Sequence, residues 1–390
     1  NLLDKQMYAK MKSKGLKLQP NEIYNESGLD ISDAIVALDG GMCSGSIISA
    51  TGLMITNHHC AYGDIHALST PENNYLENGF WAMNKSEELP NSGVTATFII
   101  RMEDVTSKVL AGISSDLSNE IREQKIKTAI DSLQKEAVIG TTYEAFIRPF
   151  FYGNEYYLFI TETFRDVRLV GAPPSSIGKF ADVTDNWVWP RHTGDFSVFR
   201  IYANKDNKPA EYSKDNVPYK PKYVLPITLK GVEKDDFTMV YGFPGKTTEY
   251  LTSYGVDVIM NQSDPDKVKI REIRSAAMYS QMQKSDLVRI QYSAKYQSLA
   301  NYYKKWLGEM TGLKKANAIE QKKAFESEFL KKVAENEEAN KMYGKLFPDF
   351  EKKYSTFKAL SKQRDFYSEA VMGIEMISYA AGFSEIIGGL

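Results

Sequence analysis

The hydrophobic period changes once along this chain, and that change limits the possible folds more than any other feature. From about residue 40 to 255, Gly and Pro punctuate short β-branched and aromatic runs: "GSIIS", "GLMIT", "VTATFII", "YYLFITETF", "FSVFRIYA" and "FTMVYGF". One interruption, residues 114–138, carries Ile121, Ile126, Ile130 and Leu133 at helical spacing among charges, so an amphipathic helix is expected within the strands. Beyond about residue 265 the period becomes helical. Leu287, Ile290, Leu299, Tyr303, Trp306 and Met310 would share one broad face, and the last segment, "AVMGIEMISYAAGFSEIIGGL", reads as helix with a turn. The expected fold class is mainly β with α: a β part over residues 1–255 and the first part of an α-helical domain over 256–390.

Charge and hydropathy exclude some functions at once. Lys+Arg 48 against Asp+Glu 50 leaves a net charge of -2, which gives no electrostatic footprint for nucleic acid. No apolar run is long enough to span a bilayer. No signal-peptide pattern stands at Asn1, so the chain is expected to begin after processing or trimming, or else to be cytosolic.

Three of the four histidines and one of the two cysteines fall in "ITNHHCAYGDIH", residues 55–66. Cys43 and Cys60 flank an expected hairpin, "CSGSIISATGLMITNHHC", that could return one sulfur to the other. A disulfide across it would contribute roughly 3 kcal/mol in the chain-entropy account and point to an oxidising compartment; two free buried thiols are the less favoured alternative. A zinc site built from His58, His59, His66 and Cys60 is a third. It is disfavoured because adjacent His58 and His59 would point to opposite sides of a strand.

A second constellation lies at residues 185–199, "DNWVWPRHTGDFSVF", which places Trp187, Trp189, His192 and Asp195 in a turn between strands. Together with "TNHHC", with "STPENNYLENGFWA", "GFPGKTTEY" and "SLANYYKKW", it resembles the bacterial dipeptidyl-peptidase 7/11 family, chymotrypsin-like serine exopeptidases. The motifs occur in order over essentially the whole chain. The resemblance implies a chymotrypsin-like β-barrel with an inserted α-helical domain, truncated here. It makes His59 the general base, His58 its packed neighbour and Asp195 the carboxylate that orients the base. It also implies that Asn186, Trp187 and Asn301 hold the free amino terminus of an oligopeptide substrate, and that the enzyme is a periplasmic or secreted homodimer with no cofactor and no metal.

A His-Asp-Ser triad in that order needs a serine after Asp195, usually in a G-x-S-G turn that also forms the oxyanion hole. No serine after Asp195 is followed by Gly; Ser197, Ser253 and Ser285 sit in strand or helix patterns, and Ser44 and Ser92 lack the glycine two places before. The expectation is therefore the N-terminal portion of a serine-type dipeptidyl-peptidase, inactive alone, with the nucleophile and the P1 determinants beyond Leu390. A peptide-binding module and a trypsin-like endopeptidase are the alternatives. "GFPGKT" lacks phosphate-loop spacing and reads as a tight turn between strands. The Lys/Glu run at residues 314–341 reads as a solvated helix surface.

Overall fold

The computed structural model describes residues 4–383 apart from 26–27, 71, 115, 182–183, 185, 246 and 249. The chain packs as two compact units, residues 1–180 with 193–245 and residues 181–192 with 246–390. Their architecture is mixed α/β with a large antiparallel sheet in the first unit.

The sheet is built from β1 (Ile35–Leu38), β2 (Cys43–Ile47), β3 (Leu53–Thr56), β4 (Phe80–Trp81), β5 (Leu89–Asn91), β6 (Ala96–Asp104), β7 (Glu144–Phe150), β8 (Glu155–Phe164), β9 (Asp166–Ala172), β10 (Ser197–Ala203) and β11 (Val217–Pro218). Its order is β4-β9-β10-β3-β2-β1-β6-β8-β7, with β11 on β10 and β5 on β9. The register that matters for the site is β3 on β10, where Thr56 faces Ser197 and Leu53 faces Arg200. The β2–β3 connection ends at Gly52, whose φ of 69° only glycine adopts readily, and whose Cα approaches so closely that an added methyl would stand 2.8 Å from the Ile201 carbonyl oxygen.

Val36, Ile47, Met54, Phe164, Leu169, Phe199 and Ile201 meet in one core with essentially no exposure. Each such side chain contributes about 1.5–3 kcal/mol by leaving water. A second cluster, Val105, Val109, Ile147, Leu158 and Ile160, receives Ile126, Ile130 and Leu133 from helix Asn119–Ala137. That is the helix expected from spacing, started by Ser118, whose hydroxyl accepts the Ile121 N–H. Ile121 itself points away and is 51% exposed; Ser115 lies outside the described residues.

Two expectations fail in this unit. "FTMVYGF" forms no strand: residues 237–243 are irregular, so "GFPGKT" is not a turn between strands, and its Lys246 lies outside the described residues. The alternation is present, but a strand needs a neighbour for its backbone N–H and C=O groups, and none pairs with it among the described residues. Val240 is left 94% exposed. The second failure, at "TNHHC", belongs to the site below.

The second unit is helical. Its long helices are Asp264–Met282, Asp286–Lys315, Ala318–Ala334 and Leu346–Phe366. Of the predicted apolar face, Leu299 and Trp306 are buried, Tyr303 and Met310 half-buried, and Leu287 is 65% exposed at the helix start; the Ile290 side chain is outside the described residues. The charged run breaks at Asn317, which takes a left-handed conformation, and its Lys–Glu pairs at 320/323, 328/332 and 337/341 are solvent-exposed. Glu326 is its exception. It is buried and accepts both the backbone N–H and the hydroxyl of Ser253. The tail forms helix Glu375–Gly382, and residues 384–390 are outside the described set.

Candidate active site

β3 ends at Thr56, and the chain turns at once into a helix, α1 (His58–Leu68), with Asn57 as its N-cap. The strand expected through "HHC" is therefore wrong, and the reason is visible in the sequence. His58, Ala61, Tyr62, Ile65 and Leu68 fall at helical spacing, and His58, Ala61 and Ile65 are buried. On a helix, neighbouring side chains are about 100° apart rather than opposed. His58 turns into the core and His59 turns out.

Asp195, two residues before β10, meets the exposed start of α1 at two points. Its Oδ1 accepts the His59 backbone N–H at 2.9 Å and its Oδ2 lies 2.7 Å from His59 Nδ1. Asn57 Nδ2 donates to the Asp195 carbonyl oxygen at 3.1 Å and to Oδ2 at 3.3 Å. A carboxylate at a helix N-terminus satisfies a backbone N–H that has no partner inside the helix and is favoured there by the dipole. Burial pushes the Asp195 carboxyl up, but the hydrogen bonds from the His59 ring and backbone, with the nearby imidazoles, together hold it below the usual carboxylate value. The His59 side chain is 65% exposed while that of Asp195 is 22% exposed. The arrangement directs Nδ1 to the carboxylate and leaves Nε2 facing outward, the disposition of an oriented imidazole base.

A disulfide joins Cys43 at the start of β2 to Cys60 in the first turn of α1, with Cα atoms 6.1 Å apart. Among the described residues, Cys43, His59 and Cys60 hold potential ligand atoms within 4.8 Å of one another, but the two sulfurs are bonded to each other. The zinc grouping of His58, His59, His66 and Cys60 is not brought together. His58 is fully buried, and His66 lies half-buried in the last turn of α1. His192 is exposed in the second unit.

Within the second unit, the three residues expected to hold a substrate amine converge. Asn186 Nδ2 donates to Asn301 Oδ1 at 2.8 Å, and Trp187 Nε1 donates to the same oxygen at 2.8 Å and to the Asn301 carbonyl at 3.0 Å. Trp187 has a positive φ of 62° and is 60% exposed. Lys304, one turn beyond Asn301, donates to the Thr184 carbonyl at 2.8 Å and ties the same segment to the helix. Asp185 lies outside the described residues.

Of the serines weighed as nucleophiles, Ser197 and Ser253 are buried and Ser285 caps helix Asp286–Lys315. Ser44 accepts the Phe243 N–H at 2.7 Å. Sequence reasoning missed Asn57 as a partner of Asp195 and the contact between Ser197 and His58; no spacing signal links those positions. Two cavities open elsewhere, one of about 530 Å³ around Tyr254, Lys323 and Glu326 and one of about 450 Å³ around Arg122, Ile130 and Tyr152. Neither is lined by His59, Asp195, Asn186, Trp187 or Asn301.

The sequence profile of peptidase S46 matches residues 1–386. The Asp/Glu-specific dipeptidyl-peptidase of Flavobacterium psychrophilum is 48% identical over 372 residues, 95% of this chain and 52% of the relative. Dipeptidyl-peptidase 7 of Capnocytophaga gingivalis is 44% identical over 340 residues, 87% of this chain and 47% of the relative. A crystal structure of Porphyromonas endodontalis DPP11 in complex with substrate superposes with a TM-score of 0.85 at 37% identity, covering 95% of this chain and 54% of that one. The chain thus spans about half the length of the relatives it matches.

Proposed function

The chain belongs to the peptidase S46 family, and from that premise we propose that it is the N-terminal portion of a serine-type dipeptidyl-peptidase releasing dipeptides from the free amino end of oligopeptides. The single observation that carries this reading is the two-point contact of Asp195 with His59. His59 is the general base. Asp195 fixes the tautomer with the proton on Nδ1, so that Nε2 takes the proton of a serine hydroxyl and later returns it to the leaving amine. The serine lies in sequence beyond Leu390, as do the residues that shape the P1 pocket. An acyl-enzyme forms on that serine, and water activated by the same imidazole releases the dipeptide.

Asn186, Trp187 and Asn301 bind the substrate ammonium, through amide oxygens and the indole face. A closed end of this kind limits the chain on the acyl side to two residues. The sheet-bearing unit is the first part of a chymotrypsin-like barrel, and the helical unit is the first part of an inserted domain. A periplasmic or secreted setting accords with the Cys43–Cys60 bond, and the assembled enzyme is a homodimer.

The test is hydrolysis of dipeptidyl chromogenic substrates by the longer, serine-bearing enzyme, with free and acylated amino ends. Cleavage of only the free-amine series supports the exopeptidase; equal cleavage of both would indicate an endopeptidase. The 390-residue chain alone is expected to be inactive.

A further inference from the structure

His58 is a fully buried imidazole beside the candidate base, and its surroundings are unusually constrained. Its Nδ1 lies 3.4 Å from the hydroxyl of Ser197, itself without exposure, and its Nε2 is buried with no hydrogen-bond partner among the described residues. The ring stands edge-on to Tyr62 one turn along α1. On the other side it meets the turn Ser175–Gly178 so closely that a methyl at Gly178 would sit 2.6 Å from the His58 Cγ. The same turn reaches the Asp195 segment. Ile177 accepts the Gly194 N–H at 2.9 Å, and a methyl at Gly194 would stand 2.8 Å from Ile177 Cγ2.

These contacts place one ring where three elements meet: the first turn of α1, the start of β10 and the turn before the Asp195 segment. Ser197 follows Asp195 by two residues, and His59 follows His58 by one. Holding His58 against Ser197 fixes the rotation of α1 about its axis, and that rotation determines where His59 points, about 100° away. Of the two neutral tautomers, the one protonated on Nδ1 donates to Ser197 and leaves Nε2 a bare acceptor. The other would bury an N–H without a partner, the rarer and costlier outcome.

We infer that His58 is a positioning residue: a neutral imidazole whose hydrogen bond to Ser197 locks α1 onto β10 so that His59 and Asp195 meet in bonding geometry. The catalytic meaning of that geometry rests on the function proposed above; the positioning itself does not. The charged and titratable groups around the ring are Asp195, Lys179 of the neighbouring turn, and His59 and Tyr62 of its own helix. Burial, the largest influence, drives the His58 pKa below its ordinary value; the Asp195 carboxylate opposes this, while Lys179 and His59 add to it. The neutral form follows from the same packing.

The experiment is long-range ¹H–¹⁵N correlation NMR of the imidazoles in the 390-residue chain, which has only four histidines. In the parent protein His58 and His59 should both report a fixed Nδ1–H tautomer. In Ser197→Ala, which removes one oxygen and leaves the packing, the ratio of Nδ1–H to Nε2–H at His59 should fall about five-fold, the equivalent of one net hydrogen bond. His58→Phe, which keeps a ring against Gly178, should do the same. A His59 spectrum unchanged in folded Ser197→Ala overturns the inference, whatever the fate of the Phe variant. Because no turnover is measured, failure here is separable from failure of the peptidase reading.

Discussion

At the scale of single residues, the site depends on which nitrogen of which histidine carries a proton. Replacing Asp195 by Asn keeps the shape but turns an acceptor of the His59 Nδ1–H into a donor, and in the serine-bearing enzyme kcat should fall about 10⁴-fold, with fold stability measured alongside. His58 gives a pH signature of its own. Its folded pKa lies below the ordinary 6.5, so the unfolded chain takes up the proton first as the pH drops. Its contribution to stability is complete above 6.5 and is lost as the pH falls through the lowered folded value. Between pH 7 and 5 the melting temperature of the parent should therefore fall more steeply than that of His58→Phe. Asp64, pushed up to about 6 chiefly by burial, works in the opposite sense and is common to both proteins. Equal slopes would place the His58 proton elsewhere. The family resemblance, carried by "TNHHC" and "HTGDF", is what singled out His59 and Asp195 in the sequence. The sequence could not point to Ser197 as the partner of His58, because a contact across 139 positions has no local pattern.

At the scale of elements, the site is a junction of a strand end, a helix start and two close approaches of backbone. The strands were legible where β-branched and aromatic runs coincided with pairing, as in β3, β8 and β10. "HHC" was misread because β3 ends only two residues earlier, at Thr56, and the helical repeat of His58, Ala61 and Ile65 becomes clear only farther along the chain. Two measurements probe the junction. Gly178→Ala forces a methyl against the His58 ring and should destabilise the protein by about 1–3 kcal/mol in denaturant titration. Removing the disulfide with Cys43→Ser and Cys60→Ser should cost roughly 2–4 kcal/mol. It should also raise amide exchange in the first turn of α1 ahead of the rest of the helix. Uniform exchange along α1 would show that the bond does not secure that turn.

At the scale of the whole molecule, the change of period was enough to anticipate strands in one part of the chain and helices in another. They failed at residues 237–243, where alternating apolar residues find no strand beside them, because strand formation depends on a neighbour that a single segment cannot supply. The central claim is that His59 and Asp195 are the base and orienting carboxylate of a dipeptidyl-peptidase. The most direct test is kcat/KM of the serine-bearing enzyme and its His59→Ala variant on a dipeptidyl chromogenic substrate with a free amino end. A loss of several orders of magnitude, on the order of 10⁴ to 10⁶, with the variant folded, is the predicted result. Turnover by the variant at the parent rate would contradict the account.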